Sequence, residues 1–268
     1  MTFEERLKRR QELFIPFITV GDPTPEATVQ LCKVLQEEGA DVLELGIPYS
    51  DPLADGPVIQ EGSQRALASG MTLTKAMQLV SKMRAEGVEI PVVIFTYYNP
   101  VLQLGEERFF ALAQENQIDG VLIPDLPFEE SQDLKEKCRA HGLSLISLVA
   151  PTSKERIKMV ANEADGFLYC VSSMGVTGER ASFSEKVDAF LQDASQHSSV
   201  PVAVGFGVST KEQVEHFFKK CDGVIIGSAI VRKIGDLQDE LANQATRQAG
   251  LEEFRRFIQS LVPVKSNV

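Results

Sequence analysis

A closed barrel of eight parallel strands alternating with helices is the fold class this sequence predicts, and three observations predict it. Short apolar runs recur along the whole chain, separated by polar segments of helical periodicity. The runs show little in-out alternation, as expected of strands buried on both faces. The length of 268 residues matches one (β/α)8 barrel of ~250 residues. An open doubly wound sheet is the alternative, but no G-x-G-x-x-G opens a helix after the first run.

The runs span residues 13–20, 42–46, 92–97, 120–125, 143–149, 166–171, 200–206 and 223–227. After the first, Thr24 caps a helix with Pro25 at its first position, and Ala27, Leu31, Val34 and Leu35 form one stripe. After the second, Leu73, Ala76, Met77, Val80 and Met83 form another. After the seventh, Ser209 and Glu212 read as a capping box ahead of Val214, Phe217 and Phe218. These stripes are read as helix-to-barrel packing rather than cofactor boxes. The two longest gaps follow runs two and six, so the loops over 49–62 and 172–184 are expected to be enlarged. Both emerge at the C-terminal face of a barrel, where active sites sit. With no linker or low-complexity stretch, residues 1–268 read as one domain, frayed after Pro263.

A net charge of −11 opposes a nucleic-acid interface, which needs a basic face. Hydrophobic residues at 43% suffice for a large core. Cys32, Cys138, Cys170 and Cys221 form no C-x-x-C pair, and His141, His197 and His216 are dispersed, so neither a metal site nor a disulfide framework is expected. No run approaches the ~20 apolar residues of a membrane span. A soluble, cytoplasmic protein is expected.

The chemistry concentrates in residues 41–60, DVLELGIPYSDPLADGPVIQ. By alternation Glu44 shares a face with Val42 and Gly46, while Leu43 and Leu45 face the other way. A Glu inside an apolar strand must be paired, protonated or used. Asp55 follows on a loop stiffened by Pro48, Pro52 and Pro57. A buried acid beside a better-solvated one can serve as acid and base at one pH. The bland alternative is a satisfied core Glu and an Asp that caps a turn.

An anion site is expected at the last strands. Gly205, Phe206 and Gly207 end run seven, and Gly227 with Ser228 opens a short helix after run eight. Backbone N–H groups and a helix N-terminus there suit a phosphate. Gly178, in the loop after run six, could close over it, since that loop has the small polar composition of a lid. Phe17, Tyr97, Tyr169 and Phe206 supply an aromatic slot at the strand ends, with Tyr169 able to reach Glu44. No lysine in a strand and no Ser–His pairing points to a nucleophile, leaving acid-base chemistry without a cofactor.

Together, PFITVGDP, LELGIPYSDPLADGP, PDLPFEE, GVTG, GFGVS and GSAIV, in unbroken order from Phe14 to Val231, closely resemble the tryptophan synthase alpha chain family. The resemblance implies a (β/α)8 barrel that cleaves indole-3-glycerol phosphate to indole and glyceraldehyde 3-phosphate. It implies catalytic roles for Glu44 and Asp55. Gly178, Gly207, Gly227 and Ser228 match phosphate contacts, and Phe17, Tyr97, Leu122 and Tyr169 match the indole pocket. Asp125 matches an acid near the contact with the second loop. Ser173 and Met174 depart from the family's usual Arg-Ser pair. No cofactor is implied in this chain. The implied partner is a pyridoxal-phosphate-dependent beta chain in an alpha2beta2 assembly, meeting the rim near the second loop and residues 99–104. Rival readings are a different phosphate-binding barrel enzyme, a lyase that needs no partner, and a silent subunit.

Overall fold

The computed structural model describes residues 3–7, 12–171, 185–205 and 207–263. The strands are β1 (Leu13–Thr19), β2 (Leu43–Gly46), β3 (Val92–Phe95), β4 (Gly120–Leu122), β5 (Ser144–Val149), β6 (Leu168–Val171), β7 (Val202–Gly205) and β8 (Gly223–Ile226). Each pairs in parallel with the next, and β8 pairs with β1, so the sheet closes into a barrel. The expected open-sheet alternative is excluded. Every predicted run contains one strand, trimmed by a few residues where the chain turns away from its neighbours.

The helices are α1 (Phe3–Leu7), α2 (Pro25–Glu37), α3 (Pro57–Ala68), α4 (Leu73–Ala85), α5 (Tyr98–Leu104), α6 (Glu106–Glu115), α7 (Gln132–Ala140), α8 (Lys154–Asn162), α9 (Glu185–His197), α10 (Lys211–Phe218), α11 (Ser228–Asp236), α12 (Gln238–Ala242) and α13 (Arg247–Leu261). The predicted stripes bury as expected: Ala27, Leu31, Val34 and Leu35 on α2, and Leu73, Ala76, Met77, Val80 and Met83 on α4. Thr24 caps α2, its hydroxyl accepting from Ala27 N–H at 3.1 Å. None of these helices is long and apolar enough to cross a membrane.

Two local readings need correction. The capping box of α10 is Thr210 with Gln213, not Ser209 with Glu212. Extended backbone at Thr210 sets the helix start one residue later, and the Gln213 amide oxygen accepts from both Ser209 and Thr210 N–H. The second loop is shorter than 49–62, because Pro57 occupies the first turn of α3 rather than stiffening a loop. The wide spacing between β2 and β3 comes largely from carrying two helices, α3 and α4. The other enlarged loop, 172–184, and the tail after residue 263 lie outside the described residues.

Two apolar layers position the site. Outward residues such as Phe14, Ile18, Leu43, Leu45 and Ile94 pack against the helices. Inward residues Leu13, Ile15, Val42, Val93, Ile146, Phe167, Ala203 and Ile225 fill the barrel. Phe3 and Leu7 of α1 join that inner cluster and close the end from which the strands start. The Phe3 ring sits so close to Gly166 that a Cβ there would lie 2.8 Å from it. At the same end, Arg84 donates to the carbonyls of Val88, Ile90 and Gln117 and to Asp119.

Because Phe3 of α1 is buried in the inner cluster at this end, Phe3→Ala is expected to lower the unfolding free energy by about 3 kcal/mol. Ligand binding at the opposite end should be unaffected. Chemical denaturation monitored by circular dichroism, alongside a binding titration, checks both halves.

Candidate active site

The inward residues nearest the C-terminal ends of the strands form the site. Glu44 stands in register with Phe17 on β1 and Val93 on β3, on the inward face that alternation assigned to it. It is 1% exposed, and its Oε1 has no hydrogen-bond partner among the described residues. Burial pushes its carboxyl up to about 8, so it carries a proton at neutral pH. Tyr169 faces it: burial raises the phenol well above its ordinary value, and the Glu44 charge raises it further.

Phe17 crosses from β1 onto β2. A Cβ on Gly46 would lie 2.3 Å from the Phe17 ring, so Gly46 must lack a side chain for the ring to lie there. Phe95 meets Phe17 edge to face, with centroids 5.5 Å apart. Gly205 has the same relation to Tyr169, whose hydroxyl oxygen would be 2.4 Å from an added Cβ. Leu122 belongs to the same inner cluster.

Asp55 is presented by the loop between β2 and α3 and is half-buried. Burial raises its carboxyl, while hydrogen bonding to Tyr97 acts the other way. The Tyr97 hydroxyl accepts from Ala54 N–H at 3.0 Å, and its ring tilts against Tyr49 with centroids 5.1 Å apart. The Gln60 amide donates to the Asp55 carbonyl at 2.7 Å, tying the acid to the first turns of α3. Tyr97 therefore holds the acid loop, in addition to the lining role the family pattern implied. Asp125 accepts from Tyr98 N–H at 2.9 Å and so starts α5 directly beside Tyr97.

At the anion end, Gly227 is the N-cap of α11 and Ser228 its first residue, both half-buried. Gly227 packs on Phe17, with an added Cβ 3.5 Å from the Phe17 Cβ. Gly207 is exposed, has φ +75°, and has nothing within 4 Å of an added Cβ. Its backbone is open to a ligand, and its conformation favours glycine. Gly178, Phe206, Ser173 and Met174 lie outside the described residues.

Phe95, Leu148 and Val171 were missed from sequence. They pack on the inner cluster yet stay half-buried, which marks them as the walls of an open mouth. The available signal was parity: Phe95 is two residues on from Val93, Leu148 from Ile146, and Val171 from Tyr169. Among the described residues no group of His, Cys, Asp and Glu could hold a metal ion.

The family model described as tryptophan synthase alpha chain matches residues 3–259. The chain is 59% identical over 249 residues to the tryptophan synthase alpha chain of Geobacillus sp. strain WCH70, covering 93% of this chain and 95% of that protein. It is 56% identical over 259 residues to that of Halalkalibacterium halodurans, covering 97% and 98%. Its fold superposes with a TM-score of 0.84 on a chain of the tryptophan synthase α2β2 complex of Pyrococcus furiosus, at 36% identity over 94% of this chain and 98% of that one.

The buried Glu44 makes stability depend on pH. Its folded value of about 8 lies above its ordinary 4.5, so folding takes up a proton between those limits. The Glu44 contribution is fully present below pH 4.5 and is lost as pH rises through about 8. Relative to the unaltered chain, Glu44→Gln should gain stability across that window by at most about 1.4 kcal/mol per pH unit. Denaturation midpoints of both chains measured from pH 5 to 9 check this.

Proposed function

The chain belongs to the tryptophan synthase alpha chain family, and from that premise we propose that Glu44 and Asp55 divide the acid-base work of its lyase reaction. As the alpha subunit it cleaves indole-3-glycerol phosphate to indole and D-glyceraldehyde 3-phosphate, and it needs no cofactor of its own. The observation that carries the residue assignment is a carboxyl held neutral at the barrel mouth with one oxygen unpartnered among the described residues, opposite the strand-end aromatics.

The indole ring does not release its C3 substituent while aromatic. Glu44 donates its proton to C3, and the ring becomes a cationic indolenine with its charge on N1. Asp55, ionised, accepts the N1–H hydrogen bond and stabilises that charge. The carboxylate left on Glu44 then takes the proton of the adjacent carbinol hydroxyl. As the oxygen forms a carbonyl, the C–C electron pair returns to the ring and restores aromaticity. Glu44 ends protonated, and the aldehyde leaves with its phosphate, so protons and electrons balance without water. Phe17, Phe95, Leu122 and Tyr169 suit the flat ring, while Gly207, Gly227 and Ser228 suit the phosphate, with N–H groups at the start of α11 adding a favourable dipole. Gly178, as a phosphate contact, and Phe206, as an aromatic lining residue, belong to this reading on the sequence pattern alone.

We also assign a beta-chain partner, which carries pyridoxal phosphate and joins indole to L-serine. The support on this chain is surface chemistry. Leu53 is 83% exposed on the acid loop and Leu102 is 52% exposed on α5. These two segments are joined by a 3.1 Å hydrogen bond from Asn99 to the Tyr49 hydroxyl. A cover on that rim would bury both leucines and hold the acid loop. The free cysteines fit a reducing compartment, and we place the reaction in the cytoplasm.

Glu44→Gln and Asp55→Asn should each lower indole release by ~10²–10⁴ while leaving the chain folded; unchanged turnover in Glu44→Gln would remove it from the mechanism. The acid form of Glu44 does the first proton transfer, so kcat/KM should decline above pH about 8. Indole release should rise on adding a beta chain, and since the chain contains no tryptophan, indole fluorescence reports it directly.

A further inference from the structure

The acid-base scheme makes no use of an ion pair that joins its two ends. Asp22 lies just beyond β1 and is 1% exposed. Arg65 reaches it from α3 with two parallel bonds, Nε to Oδ1 at 2.7 Å and Nη2 to Oδ2 at 2.9 Å. A bidentate pair fixes direction as well as distance. Burial raises the Asp22 carboxyl and the guanidinium pulls it back.

Three elements meet at this pair. A Cβ on Gly62 of α3 would lie 2.9 Å from Val231 of α11, 3.0 Å from the Asp22 carboxylate and 3.2 Å from the Thr19 hydroxyl of β1. The α3 backbone is therefore in direct contact with both neighbours, without slack. The guanidinium also covers α11 further along, where a Cβ on Gly235 would lie 3.1 Å from Nη2, and the charges of Glu61 and Asp236 act on it.

Each element carries part of the site. The strand β1 bears Phe17, α11 begins at Gly227 and Ser228, and α3 begins directly after Asp55 and Gly56. Gln60 anchors the Asp55 backbone to the start of α3. We propose that Asp22 and Arg65 are positioning residues that couple the two ends of the substrate: an anion seated at the start of α11 sets, through Arg65 and α3, the placement of Asp55 against the indole N–H. Closely packed helices transmit small rigid shifts rather than absorbing them. The inference rests on the substrate reading above, and it adds residues that touch no substrate atom.

The test is a linkage measurement by equilibrium binding. Indole is titrated into the purified chain with and without saturating D-glycerol 3-phosphate, for the unaltered protein, Arg65→Gln and Arg65→Lys, with folding checked by circular dichroism. The phosphate compound should tighten indole binding by roughly fivefold or more in the unaltered chain. In Arg65→Gln that factor should fall toward one while each ligand alone binds nearly as before. Arg65→Lys keeps the charge but not the fork, and should be intermediate. A pair that merely stabilises the fold would leave the factor unchanged. Equal coupling in the folded Arg65 variants and the unaltered chain, or no coupling in the unaltered chain, overturns the proposal. If Arg65→Gln does not fold, Arg65→Lys decides by the same criterion. A wrong assignment of the reaction would show separately, as no indole released from indole-3-glycerol phosphate by the unaltered chain with its partner.

Discussion

Closing eight strands into a barrel places every second residue where water cannot follow, and an ionisable group put there must give up its charge or find a partner. Glu44 gives up its charge. Burial pushes its carboxyl up to about 8, and its Oε1 has no hydrogen-bond partner among the described residues. The same desolvation that costs stability loads the group with a proton, the one that the proposed chemistry would consume first. The residues around Glu44 are Phe17 over Gly46, Tyr169 over Gly205, and half-buried Phe95, Leu148 and Val171.

The two ends of the barrel are built on different principles. Where the strands begin, α1 inserts Phe3 and Leu7 into the inner cluster, and Arg84 ties several loop carbonyls together. Where the strands finish, the acid loop and the start of α5 are tied to each other by Tyr97, Asn99 and Tyr49, while the Glu44 Oε1 has no partner among the described residues. Asp55 is held through its carbonyl by Gln60 and through its half-buried carboxyl by Tyr97. The proposed site lies at the C-terminal ends of the strands, where barrels of this kind carry their active sites.

Much of this was legible in the sequence because it rests on local rules. Buried parallel strands read as unbroken apolar runs, helix stripes read at their own period, and Glu44 is conspicuous as the one carboxylate within a run of aliphatic residues at 42–46. What escaped depends on three-dimensional proximity. Whether Gly46 and Gly205 are turns or clearances cannot be known until the Phe17 and Tyr169 rings are placed. Arg65 and Asp22 lie on separate elements, and no pattern along the chain joins them. The α10 cap was displaced by one residue because Ser209 and Thr210 are both competent caps, and only the backbone at Thr210 decides between them. The family resemblance supplied roles, such as that of Leu122, which parity alone would have left among core residues.

The clearance between Phe17 and Gly46 also bears on how such a pocket can change over generations. Neither position is free while the other holds its present residue: a side chain at residue 46 meets the ring at 2.3 Å, whereas a smaller residue at 17 leaves a gap beside Glu44. The same holds for Tyr169 and Gly205. Routes to a differently shaped slot therefore have a preferred order, with the ring shrinking first and the glycine growing second. The opposite order passes through an overpacked barrel. Historical contingency in this enzyme's pocket is thus written into two contacts between a ring and a bare backbone.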